Sequence, residues 1–181
     1  EIINQLDTNK ILFDNYWKAK PEYYGYLALS YYESGNEEKA IYYFNKNDQL
    51  IKTIYENDKS KITNSSDIHN RVKSWEMLGQ ACTANLLVEK NEIANAKSII
   101  KDLERNLSNI SVLVSSMAID IPYYLALAHK GLNNYSEYKR YMNIAYNEII
   151  KISSHLNDEH KETYLNKVQK NRDIIALKND I

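Results

Sequence analysis

The sequence predicts an all-α fold, and three observations carry that expectation. The 181 residues include only 4 Gly and 2 Pro, too few turn formers for a β fold of many short strands. Apolar residues recur at helical spacing, most clearly at Tyr24, Leu27, Ala28 and Tyr31, an i, i+3, i+4, i+7 stripe. The pattern YYGYLALSYYESGNEEKAIYYF also returns as YYLALAHKGLNNYSEYKRYMNIA, with Ala126 aligned to Ala28 and Asn133 to Gly35, both 98 residues on. A chain of this length can bury one sizeable core or a short stack of helix pairs, read here as one domain over residues 1–181.

The elements follow in order. Residues 2–19 carry Ile3, Leu6, Ile11, Leu12 and Tyr16 at loose helical spacing, either the second helix of a truncated pair or a capping helix. The chain opens on EIINQL without a starting Met, which predicts a domain excised from a longer protein. Pro21 fits a first helical turn, where its missing N–H is no loss. Ser34-Gly35-Asn36 stops the helix that follows, and Glu37 and Glu38 open the next with charges favourable to its dipole. Ala40, Tyr43 and Phe44 face inward on that helix, which runs on through Leu50, Ile51, Ile54 and Tyr55, so the first pair spans about 21–56.

Residues 57–67 are polar loop formers and predict a connection. A second pair spans about 68–107. Val72, Trp75, Leu78, Gly79 and Cys82 mark the face of its first helix, Asn91 ends that helix, and Ile93, Ala96, Ile99, Ile100, Leu103 and Leu107 line the second. Residues 108–117 are apolar without a period and read equally as a short helix or an extended packed linker. Asp120-Ile121-Pro122 reads as an N-cap with proline in the first turn, opening a third pair over about 120–156. A last helix over about 158–178, with Tyr164, Leu165, Val168, Ile174, Ile175 and Leu177 inward, reads as a terminal cap with a charged outer face.

Composition narrows the function. With 44% hydrophobic and 26% charged residues, a net charge of -1 and a pI of about 6.5, no global field argues for nucleic acid or an anionic membrane. No run approaches the ~20 apolar residues of a membrane span. The one cysteine, Cys82, cannot form an internal disulfide, so a reducing cytoplasm is expected. Tyrosine dominates the aromatics, 16 against 2 Phe, which suits half-buried positions where a ring packs and its hydroxyl stays wet.

The order Ala28, Tyr31, Gly35, Ala40, Phe44 resembles the tetratricopeptide repeat: a small residue, an aromatic, a glycine turn, then Ala and an aromatic in the second helix. Trp75-x2-Leu78-Gly79 resembles the same family's helix opening, although no alanine falls twelve residues after Gly79. The resemblance implies a right-handed superhelix of antiparallel helix pairs, stretched beyond the basic repeat of ~34 residues, and a binding scaffold rather than an enzyme. The run KETYLNKVQKNRDIIAL is similar to the tails of such arrays in large multidomain bacterial signalling proteins. If Ala28, Gly79 and Ala126 are equivalent, the concave groove is lined by Tyr32, Glu33, Lys73, Glu76, Gln80, Thr83, Tyr123 and Lys130. Family members that clamp a C-terminal carboxylate use Lys and Asn where this chain has Gly25, Leu29, Glu76, Gln80, Tyr123 and Leu127, so that mode is not expected. The partner implied is a protein or peptide, which another domain of the same chain could supply. The alternative is a ligand-sensing domain that controls an attached transcription-factor, cyclase or ATPase module.

Chemistry is sparse by comparison. The sequence contains no glycine-rich phosphate loop, no GxSxG and no CxxC. Cys82 falls on a packed helix face and reads as inert. His155 and His160 flank Asp158 and Glu159, but their i, i+5 spacing across a helix break suits a solvated loop better than a metal site. His129 occupies a core-aromatic position, and His69 lies near a helix start with no partner evident. No catalytic residue, cofactor or metal is expected.

Overall fold

The computed structural model describes residues 20–57, 66–109 and 117–180, and among them the chain forms eight helices and no strand. They are α1 Lys20–Glu33, α2 Glu37–Asn57, α3 Ser66–Glu89, α4 Ile93–Asn109, α5 Met117–Gly131, α6 Tyr135–Ser153, α7 Asp158–Asn166 and α8 Gln169–Asn179. The all-α expectation holds. The helix expected over 2–19 lies outside the described residues, as do most of the 57–67 connection and residues 110–116. No helix among the described residues is long and apolar enough to cross a membrane.

One turn is used three times. Gly35, Asn91 and Asn133 adopt φ of 76°, 61° and 58°, the left-handed region open to Gly and tolerated by Asn. At each, two N–H groups reach back to the last turn of the helix. Gly35 and Asn36 donate to Tyr32 and Tyr31 carbonyls at 3.0 and 2.9 Å, Asn91 and Glu92 to Val88 and Leu87 at 3.0 and 2.8 Å, and Asn133 and Asn134 to Lys130 and His129 at 3.0 and 2.9 Å. This is the Schellman pattern, which satisfies the orphan carbonyls of a helix end. The next helix starts identically each time, with Ala40, Ala96 and Tyr138 donating to Asn36, Glu92 and Asn134 carbonyls at 3.0, 3.1 and 3.0 Å.

These turns set the register between hairpins. Seven residues before each stand Ala28, Ala84 and Ala126, all 0% exposed, and nine residues after stand Phe44, Ile100 and Met142, all buried. Ala84, not Gly79, is therefore the turn-equivalent of Ala28 and Ala126, and Ala96 follows it by twelve residues. The five-residue difference turns a helix face by about 140°, at ~100° per residue. Trp75 and Gly79 belong to the N-terminal extension of α3, which at 24 residues is ten longer than α1.

The chain divides into two compact units, with the boundary after Gly79, inside α3. In the first, α1 packs on α2 and the N-terminal part of α3. Its core is built from Tyr24, Ala28 and Leu29 of α1, Phe44, Ile51 and Ile54 of α2, and Val72, Trp75 and Leu78 of α3. Two glycines permit close approach. A Cβ on Gly25 would stand 2.1 Å from Cε3 of Trp75, and one on Gly79 would stand 3.3 Å from Cδ1 of Phe44. Leu29 is buried and Leu27 only half so. Rings of Tyr31 and Tyr43 stack at 5.6 Å, with the Lys39 ammonium 5.0 Å from the Tyr31 centroid.

In the second unit α5 packs on α6, and α6 carries α7 and α8. Ile121, Leu125, Met142, Ile149 and Ile174 are fully buried there, and so is Cys82. Three boundaries differ from the sequence reading, one of them the end of α6, at Ser153 instead of near residue 156. Helix α5 begins at Met117, so Asp120 lies in its first turn instead of capping it, and Pro122 sits inside the helix. Asp120 is bound instead by Lys170 of α8 at 2.9 Å, with both side chains largely buried. The single cap expected over 158–178 is two helices broken at Lys167–Val168. At the break the Asn171 side chain donates to the Tyr164 carbonyl at 2.9 Å, which satisfies one orphan carbonyl of that helix end from outside the helix. Asn157 caps α7 by accepting from the His160 N–H at 2.9 Å.

Candidate functional site

Among the described residues, two groups of polar side chains stand out, and each lies within a single unit. In the first, α2 and the start of α3 border an open cleft of about 380 Å³ lined by Asp48, Lys52, Tyr55, His69, Lys73 and Glu76. Helical spacing creates its ion pairs: Asp48–Lys52 at i, i+4 and Lys73–Glu76 at i, i+3, each 2.7 Å. The second pair is the more buried, at 22% and 17% side-chain exposure, and so is less screened by solvent. His69 has a partner after all: its Nδ1 lies 3.3 Å from the Tyr55 hydroxyl, and the rings meet edge to face. Burial, reinforced by the Glu76 charge, pushes the Tyr55 phenol up to about 12.

The second cluster draws on three helices. Glu104 comes from α4, His129 from the last turn of α5, and Glu137, Arg140 and Tyr141 from the first two turns of α6. Glu104 Oε1 accepts from the Tyr141 hydroxyl at 3.0 Å and lies 3.2 Å from His129 Nε2. A carboxylate only accepts, so this pairing places the imidazole hydrogen on Nε2 and lets Nδ1 accept from the Asn134 amide at 3.4 Å. His129 is 4% exposed, and its ring stacks on that of Tyr141 at 5.5 Å and 8°. The Arg140 guanidinium lies 4.0 Å from the Tyr141 centroid, binds Glu137 at 2.6 Å and approaches Glu104 to 3.8 Å. Burial, then the Glu104 charge, pushes the Tyr141 phenol well above its usual range. A cavity of about 240 Å³ opens beside the cluster, walled by Lys97, Lys101, Glu104, His129 and Asn134.

The eight residues expected to line a groove stand as follows. Tyr32 is half-buried and Glu33 exposed at the end of α1; Lys73 and Glu76 meet as an ion pair in the first cleft. Gln80 and Thr83 are half-buried, and Gln80 Oε1 has no hydrogen-bond partner among the described residues. The half-buried Tyr123 ring lies 5.1 Å from that of Tyr124, and the Lys130 ammonium lies 5.4 Å from the Tyr138 ring. Gly25, which sequence register turns toward a groove, is covered by Trp75. From the sequence His129 reads as a packed histidine, with no sign of its partners. Glu104 lies 25 residues before it and Tyr141 lies 37 beyond Glu104, separations at which no local pattern links them. Comparison with protein-family models, with curated proteins and with solved structures yields no match to this chain.

Proposed function

We propose that the chain is an interaction module built from stretched hairpins of the tetratricopeptide kind. In this reading the hairpins continue one another as a right-handed superhelix, and their first helices line a groove for a peptide or helix. The occupant comes from a protein partner or from another domain of the same polypeptide. One observation carries the reading: three turns with the same hydrogen bonds and left-handed residue, each flanked by an invariantly buried alanine seven residues upstream. A fold that repeats its turn and core positions, while letting its exposed positions vary, makes one extended surface rather than one closed pocket. The turn register also says which residues share a face. Tyr32, Val88 and Lys130 are equivalent, as are Gly25, Ala81 and Tyr123.

The test is peptide display on the immobilised chain, followed by affinity measurement on selected sequences by fluorescence anisotropy. Tyr32→Ala combined with Tyr123→Ala is expected to weaken binding at least about tenfold, in the range of a lost aromatic anchor, with helicity retained by circular dichroism. Arg105→Ala, an exposed position on the second helix of its hairpin and so off the groove in this reading, leaves binding unchanged. Failure to select any peptide family, or equal binding by the double variant, overturns the reading.

A further inference from the structure

We propose that Glu104, His129 and Glu137 form a binding site for a single divalent transition-metal ion of the zinc and cobalt class. The inference does not depend on the interaction module proposed above. Each residue offers one ligand atom, and these atoms all lie within 4.8 Å of one another. With metal–ligand bonds of about 2.0–2.1 Å, donors of a tetrahedral shell stand roughly 3.3 Å apart. His129 Nε2 and Glu104 Oε1, at 3.2 Å, already have that separation. Only the Glu137 carboxylate must close in, and it is itself about a third exposed.

Three further features separate this group from a chance cluster of charges. The imidazole is buried and aligned: the Tyr141 ring stacks on it, and the Asn134 amide occupies Nδ1, so Nε2 faces the carboxylates. With metal bound, Nε2 gives up its hydrogen, Nδ1 carries it, and the Asn134 amide presents its oxygen, the outer-shell arrangement that orients a ligating histidine. Glu104 is likewise held by the Tyr141 hydroxyl. A cation already occupies the carboxylates, since the Arg140 guanidinium contacts both Glu137 and Glu104. Its side chain is 51% exposed, so it can swing to solvent when a divalent ion takes its place. Two carboxylates against one guanidinium leave a charge of −1, and against a divalent ion they balance. One imidazole nitrogen with two carboxylates selects zinc, cobalt or nickel over magnesium or calcium, which favour all-oxygen shells. The adjoining cavity leaves room for a water as fourth ligand.

The experiment is titration of the purified chain, stripped with chelator, with ZnCl2 by calorimetry and with CoCl2 by visible absorption. Saturable binding of one equivalent is expected, with no comparable heat from MgCl2. Glu137→Gln and His129→Gln should each weaken binding at least about tenfold. Arg140→Gln should tighten it several-fold, because it removes the competing cation while leaving the ligands. Circular dichroism verifies folding, and if His129→Gln does not fold, the opposed effects of Glu137→Gln and Arg140→Gln decide alone. The proposal is overturned by no saturable binding at millimolar zinc, by magnesium binding as well as zinc, by a folded His129→Gln that binds normally, or by Arg140→Gln failing to tighten.

Discussion

Replacing Gly25 with alanine sets two effects against each other at one position. Within a helix, alanine is favoured over glycine by about 1 kcal/mol, because glycine gives up more backbone entropy on folding. On that ground alone the substitution stabilises the first unit. The new Cβ, however, would meet Cε3, Cζ3 and Cδ2 of Trp75 at 2.1, 2.5 and 2.8 Å. Contacts of that length require something to move, and the indole has little freedom: Trp75 is 2% exposed and the Tyr26 ring meets it edge-on at 4.6 Å. Forcing one methyl into a packed site costs about 1–3 kcal/mol, and more where the neighbour is rigid.

Steric overlap with three ring atoms lies at the upper end, so the clash exceeds the propensity gain and leaves a net loss of about 1–2 kcal/mol. For a chain of this size that lowers the melting temperature by roughly 2–8 °C. Urea denaturation followed by circular dichroism measures it, and a companion variant isolates the cause. In a Trp75→Leu background, already weakened by loss of the indole, Gly25→Ala should become neutral or stabilising. If Gly25→Ala alone melts at or above the parent temperature, or destabilises equally with and without the indole, the clash is not the reason for glycine there.

Other perturbations follow from the same structure. Gly35→Ala meets nothing within 4 Å among the described residues but must hold φ at 76°, so it is expected to destabilise by about 1–2 kcal/mol through strain alone, with Gly35→Asn closer to neutral in the same denaturation assay. Tyr141→Phe removes the hydroxyl bond to Glu104 and is expected to lower the urea-derived stability by about 1–2 kcal/mol. Tyr55 gives a pH signature: its folded pKa is raised to about 12, above the ~10 of an unfolded chain. Its neutral form is thus the one the fold prefers; stability is unaffected below about pH 10 and falls as pH climbs toward 12. Tyr55→Phe should flatten that part of the pH profile, and an unchanged slope would refute the assignment. Asp120→Asn discharges the partly buried pair with Lys170, and faster amide hydrogen exchange across Gln169–Asn179, with α6 unaffected, is the expected readout.

What the sequence determined by itself was local. Apolar stripes of period 3.6, scarce glycine and proline, and Gly or Asn at three helix ends specify helices and their turns, because a left-handed residue and its carbonyl partners lie within six positions of one another. Gly35, Asn91 and Asn133 are legible in that way, and so are most helix boundaries. Tertiary structure decided what depends on distant neighbours. Trp75-x2-Leu78-Gly79 reads as a repeat opening on its own, yet the turn at Asn91 fixes Ala84 as the equivalent position and leaves Gly79 to face the Phe44 ring. Asp120 reads as a cap until Lys170, fifty residues on, is brought against it. Glu104, His129, Glu137 and Tyr141 converge only because α4, α5 and α6 pack together, and no periodicity encodes which polar residues from three helices will share one point in space.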